Sequence, residues 1–504
     1  MKQFLTFALF ILLIQQCFTQ ISFEKRIEIE IEESNQQTDL YNFGDKGAIV
    51  YSMNKDKKSK MLKLGFNFID TDLQLVKSKS IEIENSYKYL NSFYDNNTLY
   101  VLFKSKNKLK LISANIDELN VDLLFHQIPI KAQINNFVVL NDYIYIEATA
   151  KKLPYIFTIN RKSNVRNLIK IDIADYGSKH IRFVNFQASQ TSNEVYVYLK
   201  VTQKNSTNSF HIMVLNDKGN RVANYKLNDQ ADNSILNARV TKATDQHLIV
   251  TGNYSKKNAS IAEGIFFASI QANTPLLIKY YSFSSLSDFT KYLPQKKQDR
   301  IENKKAKKKS KGKEHSLTTL IAQHGIITIG DFYYYLGESY YPTYSSYTTI
   351  STTTVNGVTT TTTTTHTTFD GYQYTHAVLA KFDKEGNLIW DRIFKMDPDF
   401  KPMKVKLFIS IAKDKQSSIK LAFASKDCIH SKSFSFDGDI VYDEKSDKIE
   451  KEYSDDKIIR SISDLDFWYD NYFIVHGTQK LKNKVDTSVN KKRKVFFVSK
   501  ITYQ

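Results

Sequence analysis

The sequence predicts an all-β fold, a β-propeller of about eight four-stranded blades, with seven as the alternative if one unit is degenerate. Three observations lead there: a short alternating strand recurs at about fifty residues, clusters of Asp, Asn and Gly separate the strands, and no long amphipathic helix is evident. The recurring strand reads Ala48 to Tyr51, Leu99 to Leu102, Tyr143 to Ile146, Val195 to Tyr198, Leu248 to Thr251, Ile326 to Ile329, Ile419 to Ala422 and Phe473 to His476. The spacings between first residues are 51, 44, 52, 53, 78, 93 and 54, and the two long gaps each hold a low-complexity insertion.

Each unit continues alike. A second apolar strand ends in a polar turn, as in Phe66 to Asp70, Phe157 to Asn160, Met213 to Gly219, Val378 to Gly386 and Phe434 to Gly438. A further strand leaves the turn, as in Leu168 to Ile173, Val222 to Leu227 and Leu388 to Phe394. With the strand before each anchor, that makes four antiparallel strands per unit. The last unit stops after its third strand, Val495 to Ile501, while Phe23 to Ile31 forms an orphan strand near the start. Pairing the two would close the ring and remove the exposed edge an open array leaves. The competing arrangement is two stacked β-sandwich domains.

Composition supports a large packed molecule. The chain has 504 residues, 41% of them hydrophobic, with 31 Tyr and 33 Phe, which excludes wholesale disorder. Lys2 followed by the apolar run Phe4 to Ile14 has the form of a secretory signal and is too short to span a bilayer. Cleavage after Thr19 would leave residues 20–504 as a single propeller domain behind a 1–19 signal peptide. A lipid anchor on Cys17 is one alternative, disfavoured because Gln16 stands where a small residue belongs, and a retained anchor is another. The expected location is periplasmic, outer-surface or extracellular. Cys428 then remains alone, so no intrachain disulfide can form, and its place at a strand start reads as packing.

The two insertions carry the unusual chemistry. In the first, 286–316, the stretch Lys296 to Lys313 holds a net charge of +8 out of +18 for the chain. Such a run reads as a solvated loop or as an electrostatic tether for a polyanion, with Lys304, Lys305, Lys307, Lys308 and Lys309 at its centre. The second insertion, 337–374, has two β-prone runs joined by Asn356-Gly357, the dipeptide suited to a type I′ hairpin turn. The Thr tract within it, Thr359 to Thr365, reads alternatively as a glycosylated or unstructured stalk. Tyr340, Tyr341, Tyr344, Tyr372 and Tyr374 crowd its base, suited either to stacking on a ligand or to packing the base itself. In a four-stranded propeller the links between blades and the turns between second and third strands emerge on one face, so both insertions are expected side by side.

The segment Ala380-Lys-Phe-Asp-Lys-Glu-Gly-Asn-Leu-Ile-Trp390, echoed at Asn216 to Asn220, resembles a blade of secreted bacterial β-propeller repeat proteins, including quinoprotein-like ones. In that family an Asp-turn-Gly precedes a Trp that docks between blades. The resemblance implies the fold and an exported, cell-envelope setting; it implies no quinone, and no cofactor is expected.

Catalytic signatures are missing. There is no His-Glu-x-x-His, nucleophile elbow, phosphate loop or calcium loop, so no catalytic or metal residues are assigned. Glu338, Asp370 and His376 flank the hairpin and are the set best placed to converge at its base, whereas His376 and His476 taken singly sit on strands where packing is the default. Sequons occur at Asn96, Asn205, Asn253 and Asn258. The reading is a non-enzymatic exported binding or scaffold protein, contacting an acidic polysaccharide, an anionic envelope surface or another protein through the face with the polybasic loop and hairpin. The competing classes are a carbohydrate-active or quinoprotein-like enzyme using the central funnel, and a structural component of an envelope assembly. No specific nucleic acid, no transmembrane span and a monomer are expected.

Overall fold

The computed structural model describes residues 21–31, 36–55, 59–127, 131–174, 176–202, 208–228, 233–244, 246–256, 260–271, 276–413 and 418–503. The expected signal peptide with Cys17, and the sequons at Asn205 and Asn258, lie outside the described residues.

The strands form eight antiparallel sheets, an eight-bladed β-propeller. Blade 1 runs from the inner strand Gln37–Asn42 through Ala48–Lys55 and Met61–Ile69 to the outer strand Leu75–Glu84. Blade 2 follows with Lys88–Tyr94, Thr98–Ser105, Lys108–Asn115 and Asn120–Gln127, and blade 3 with Gln133–Leu140, Tyr143–Ala150, Leu153–Asn160 and Arg166–Lys170. Blade 4 comprises Ile181–Ser189, Glu194–Thr202, Asn208–Asn216 and Arg221–Asn228; blade 5 comprises Asn233–Thr244, His247–Lys256, Gly264–Gln271 and Leu277–Ser282. Blade 6 is Leu320–Gln323, Phe332–Val355, Val358–Phe382 and Leu388–Lys395, and blade 7 is Ser410–Lys413, Ser418–Ser425, Cys428–Ser435 and Ile440–Lys448. Blade 8 supplies only Lys457–Phe467, Tyr472–Lys482 and Lys492–Tyr503.

Burial explains this order. The second strands are apolar on both sides because each blade is sandwiched by two neighbours, as Thr98 to Phe103 and Val195 to Leu199 show. Outer strands such as Leu75–Glu84 are mostly exposed and carry Lys and Glu. The apolar side chains gather into eight clusters, each spanning one pair of neighbouring blades. An open array of eight blades would have seven such interfaces; here Leu40 and Val50 of blade 1 pack against Ile474, Phe496 and Val498 of blade 8.

Closure comes from the start of the chain. Ile21–Glu30 forms the outer strand of blade 8, antiparallel to Lys492–Tyr503, with Phe23 opposite Ile501 and Glu30 opposite Val495. Charge tightens the seam: Arg493 donates to Glu28 at 3.0 Å and to Asp456 at 2.5 Å, with all three side chains under 10% exposed. Arg26 donates to Glu28 at 2.7 Å and to Gln479 at 2.8 Å, its guanidinium resting over the Phe497 ring.

The turns from third to fourth strands repeat one device. Asp70, Asn115, Asn160, Asn216 and Asp383 each accept backbone N–H bonds from residues two to four ahead. These turns dock on the preceding blade. Gly438, at φ +90°, lies flat against the Trp390 indole, where a Cβ would sit 2.9 Å from the ring, and Trp390 Nε1 donates to the Phe436 carbonyl at 3.2 Å.

Two details differ from the sequence reading. Ile327–Ile329 belongs not to the second strand of blade 6 but to a resumed inner strand, pairing with Phe332 to Tyr334; the second strand begins at Phe332. The basic run is not a loop but contains the helix Gln295–Lys309. The helix has no buried residue, so no apolar stripe announced it; Lys, Gln, Glu, Arg and Ala have high helix propensity, and Lys307 to Lys309 complement the negative end of its dipole.

Removing residues 21–31 is expected to cost the ring its closing strand and to lower the thermal midpoint sharply. The finer test is Arg493→Met, which leaves Asp456 buried without a counter-ion while Glu28 keeps Arg26, and should destabilise by about 3–5 kcal/mol, read from urea unfolding. Unchanged stability in both variants would show that the seam does not hold the ring.

Candidate binding face

Links between blades and turns between second and third strands share one face of the ring, and the two insertions of 286–316 and 337–374 occupy one of each. The first leaves blade 5 through Phe283, which stacks on Phe289 at 4.4 Å between ring centres. The segment is then held by a buried carboxylate: Asp391 of blade 6 accepts the N–H groups of Ser287 and Asp288, each at 2.8 Å, and the Ser287 hydroxyl at 2.7 Å. Tyr292 next stacks flat on His376 of the hairpin's returning strand, 3.9 Å apart and 14° from parallel. After the helix the chain returns over blade 5, where Glu314 pairs with Lys256 and Ser316 donates to Glu263 at 2.7 Å. The two insertions therefore meet at their roots, where Tyr292 of one lies on His376 of the strand returning from the other.

Helix periodicity sorts the basic residues. Gln298, Ile301 and Lys305 are half-buried on one side, and Lys305 is ion-paired with Glu302 at 2.7 Å. Lys304, Lys307, Lys308 and Lys309 are exposed. Of the five lysines singled out, four present free charge to solvent and one covers its own helix.

The tyrosines divide as well. A chain of ring contacts climbs from the core: Phe408 to Tyr374 at 4.8 Å, Tyr374 to Tyr340 at 5.4 Å, Tyr340 to Tyr372 at 5.2 Å, Tyr372 to Phe369 at 5.0 Å, and Phe369 to Tyr344 at 5.9 Å. Tyr374 is buried, its hydroxyl donating to the Lys406 carbonyl at 2.6 Å, and burial raises its pKa. Tyr374 is thus a packing residue and not a contact for a ligand, and Tyr340 and Tyr372 are half-buried in the same stack. Tyr341 and Tyr344 are 50% and 61% exposed. Beside them a groove of about 470 Å³ is lined by Asp370, Lys401, Lys426 and Arg460, and the link ahead of blade 7 exposes Met403, Val405 and Leu407.

Glu338, Asp370 and His376 do not converge. Glu338 is wholly buried toward blade 7, accepting the N–H groups of Phe408 and Ile409 at 2.9 and 2.8 Å and facing His324 Nε2 at 2.7 Å. His376 turns to the opposite side of the sheet, toward Phe289 and Tyr292. Asp370 lies at the surface, bonded to Thr343 and 3.5 Å from Lys401, contacts that hold its carboxyl below the usual range. Asn253 is no glycan acceptor in the folded chain: it is buried and donates to the Tyr335 hydroxyl at 2.8 Å. Among the described residues no group of three His, Cys, Asp or Glu is arranged to hold a metal.

The funnel contains carboxylates the sequence reading passed over. Asp39 on the inner strand of blade 1 faces Asp464 and Asp466 on that of blade 8. Asp39 is open to solvent yet walled by protein, so desolvation pushes its carboxyl pKa up. His476, 3.1 Å from Asp466, is held protonated to higher pH by the same carboxylates, and Tyr94 is pushed up to about 12. Inner strands of blades 2 to 5 also share a bulge ending in Asn91, Asn136, Asn185 and Asn237. Asn91 donates to Asn136 across the blade boundary at 2.8 Å. Their spacings of 45, 49 and 52 follow the blade period, so the repeat was there to be found in the sequence.

No protein-family model matches the sequence, and no curated protein matches it. Solved structures similar to the chain include prolyl oligopeptidase B from Galerina marginata, at 9% identity and TM-score 0.39, covering 88% of this chain and 56% of that one. The β-propeller domain of the Trilobed protease from Pyrococcus furiosus is similar at 7% identity and TM-score 0.34, covering 82% and 93%. A functionally unknown protein from Desulfotomaculum acetoxidans is similar at 10% identity and TM-score 0.34, covering 79% and 99%.

His376 makes the junction acid-sensitive. Desolvation holds its pKa down at about 3, and its Nε2 has no hydrogen-bond partner, whereas the unfolded side chain titrates near 6.5. The unfolded state therefore binds the extra proton between those values, and the contribution of neutral His376 to stability is lost as pH falls from 6.5 toward 3. His376→Phe keeps a ring beneath Tyr292 and removes that proton uptake. Its urea midpoint should fall less steeply with acidification than that of the parent; an identical pH slope would refute the assignment.

Proposed function

We propose that the protein is an exported, non-enzymatic binding protein that holds an acidic polysaccharide against the face carrying the basic helix and the hairpin. The observation that supports this most is the stacking of Tyr292 on His376, which roots a helix of exposed lysines and a hairpin of exposed tyrosines at one place. Lysines without counter-ions attract polyanions over a distance set by salt. Exposed tyrosines add flat, amphipathic surface on which sugar rings can stack. Export rests on the leader-like pattern of Lys2 and Phe4 to Ile14, and a cell-envelope setting would put such polymers within reach.

A second reading, a carbohydrate-active enzyme using the funnel, is favoured by one observation. Asp39, with its raised pKa, stands among Asp464 and Asp466, an environment that separates the roles of acid and base.

Binding to immobilised polyuronate and to a sulfated glycan separates these readings. Replacing Lys304, Lys307, Lys308 and Lys309 by Gln should weaken affinity by about tenfold or more at moderate salt and make it less sensitive to salt. Tyr341→Ala with Tyr344→Ala should weaken it at all salt concentrations, whereas Lys305→Gln should have a small effect. Binding untouched by either set, or release of shortened chains abolished by Asp39→Asn, would reject the binding-protein reading.

A further inference from the structure

Beyond blade 6 the hairpin continues as a free ribbon, with Tyr344 paired to Phe369 and every residue in between paired down to Val355 and Val358. Its strands pair only with each other there; among the described residues no third strand lies on either side. From Ser345 to Thr368 every residue is exposed. A strand edge of this kind presents a row of unpaired N–H and C=O groups, and proteins normally blunt such edges with charge, proline or a bulge.

The rest of this molecule does so. All eight outer blade strands carry charged residues, from Lys77, Lys79, Glu82 and Glu84 in blade 1 to Asp443, Glu444 and Lys445 in blade 7 and Glu24, Lys25 and Arg26 in blade 8. The ribbon has none: between Tyr344 and Phe369 there is no Asp, Glu, Lys, Arg or Pro, and no shift of register. The chain that guards its short edges leaves its longest one open.

We propose that the outer edge of Val358–Phe382 pairs with the same edge of a second copy, making a four-stranded sheet across a twofold axis at Thr362. Composition selects this occupant. Thr359 to Thr365 are seven identical residues, so antiparallel pairing of the tract with itself sets Thr opposite Thr at every position. Such cross-strand hydroxyl contacts already occur inside the ribbon, between Thr348 and Thr365 at 3.4 Å and between Thr354 and Thr359 at 3.1 Å. A twofold pairing through this edge is closed, because it uses the Val358–Phe382 edge of each copy once. Charge selects the place. Two chains of +18 repel elsewhere, but Thr362 stands about 30 Å along the ribbon from Tyr341, several times the screening length of about 8 Å at physiological salt. The pairing replaces the monomer expected from sequence and is independent of any glycan bound at the ribbon's base.

Sedimentation equilibrium of the full chain tests it. The parent should show twice the chain mass, and dilution should yield a dissociation constant. Thr360→Lys combined with Thr364→Lys sets like charges opposite each other twice across the axis and should raise that constant about tenfold. The variant with Asp at both positions should also dissociate. Mixing the two variants should restore dimers, because every lysine on one copy then faces an aspartate on the other. A monomeric parent, a Lys variant of unchanged mass, or a mixture that stays monomeric would overturn the pairing. So would a parent that remains monomeric while added polyuronate protects the ribbon amides from hydrogen exchange, since the edge would then belong to that ligand.

Discussion

The ladder between Ile21–Glu30 and Lys492–Tyr503 is the constraint on which the remaining geometry rests. Seven blades complete themselves from consecutive strands, but the eighth borrows its outer strand from the other end of the chain. Because a ring has as many interfaces as blades, this loan also brings blade 1 against blade 8, where Leu40, Val50, Trp468 and Phe496 become core. The Arg493, Glu28 and Asp456 network lies along this seam, with its charges mutually satisfied in a place where each alone would be costly.

A closed ring has two faces, and strand parity assigns every loop to one of them. The polybasic link and the long hairpin could be added to the same face without disturbing the core, since surface connections tolerate insertion far better than blade strands do. Their attachment is nonetheless built. Asp391 and Glu338 are buried carboxylates whose oxygens accept backbone N–H groups of linking segments, so each acts as a clamp that orients an insertion or a link. Both clamps are shut off from solvent, and this separates them from Asp39 in the funnel, which keeps access to water.

The helix and the tyrosine stack show two ways in which exposed chemistry is organised. In the helix, propensity alone sets the periodicity that turns Lys304, Lys307, Lys308 and Lys309 outward while Lys305 leans back on Glu302. In the hairpin, packing does the sorting: the ring contacts begin at buried Phe408 and lose cover step by step until Tyr344 is left in solvent.

Local periodicity determined a large part of this protein by itself. Alternating apolar residues separated by Asp, Asn and Gly turns set the strand count, the blade number and the closing partner, because a blade buries its second strand in the same way each time. The Asn356-Gly357 turn likewise set the hairpin and its register. Other features depended on contacts between residues far apart in the chain. Whether Tyr374 or Tyr344 faces solvent depends on the link at Lys406 and Phe408, and Glu338 parts from His376 because paired strands put adjacent residues on opposite sides of the sheet. The basic helix escaped pattern reading since it has no apolar stripe to bury. Side-chain alternation is written along the chain, but exposure and electrostatic environment are properties of the neighbours, and only the assembled ring supplies those.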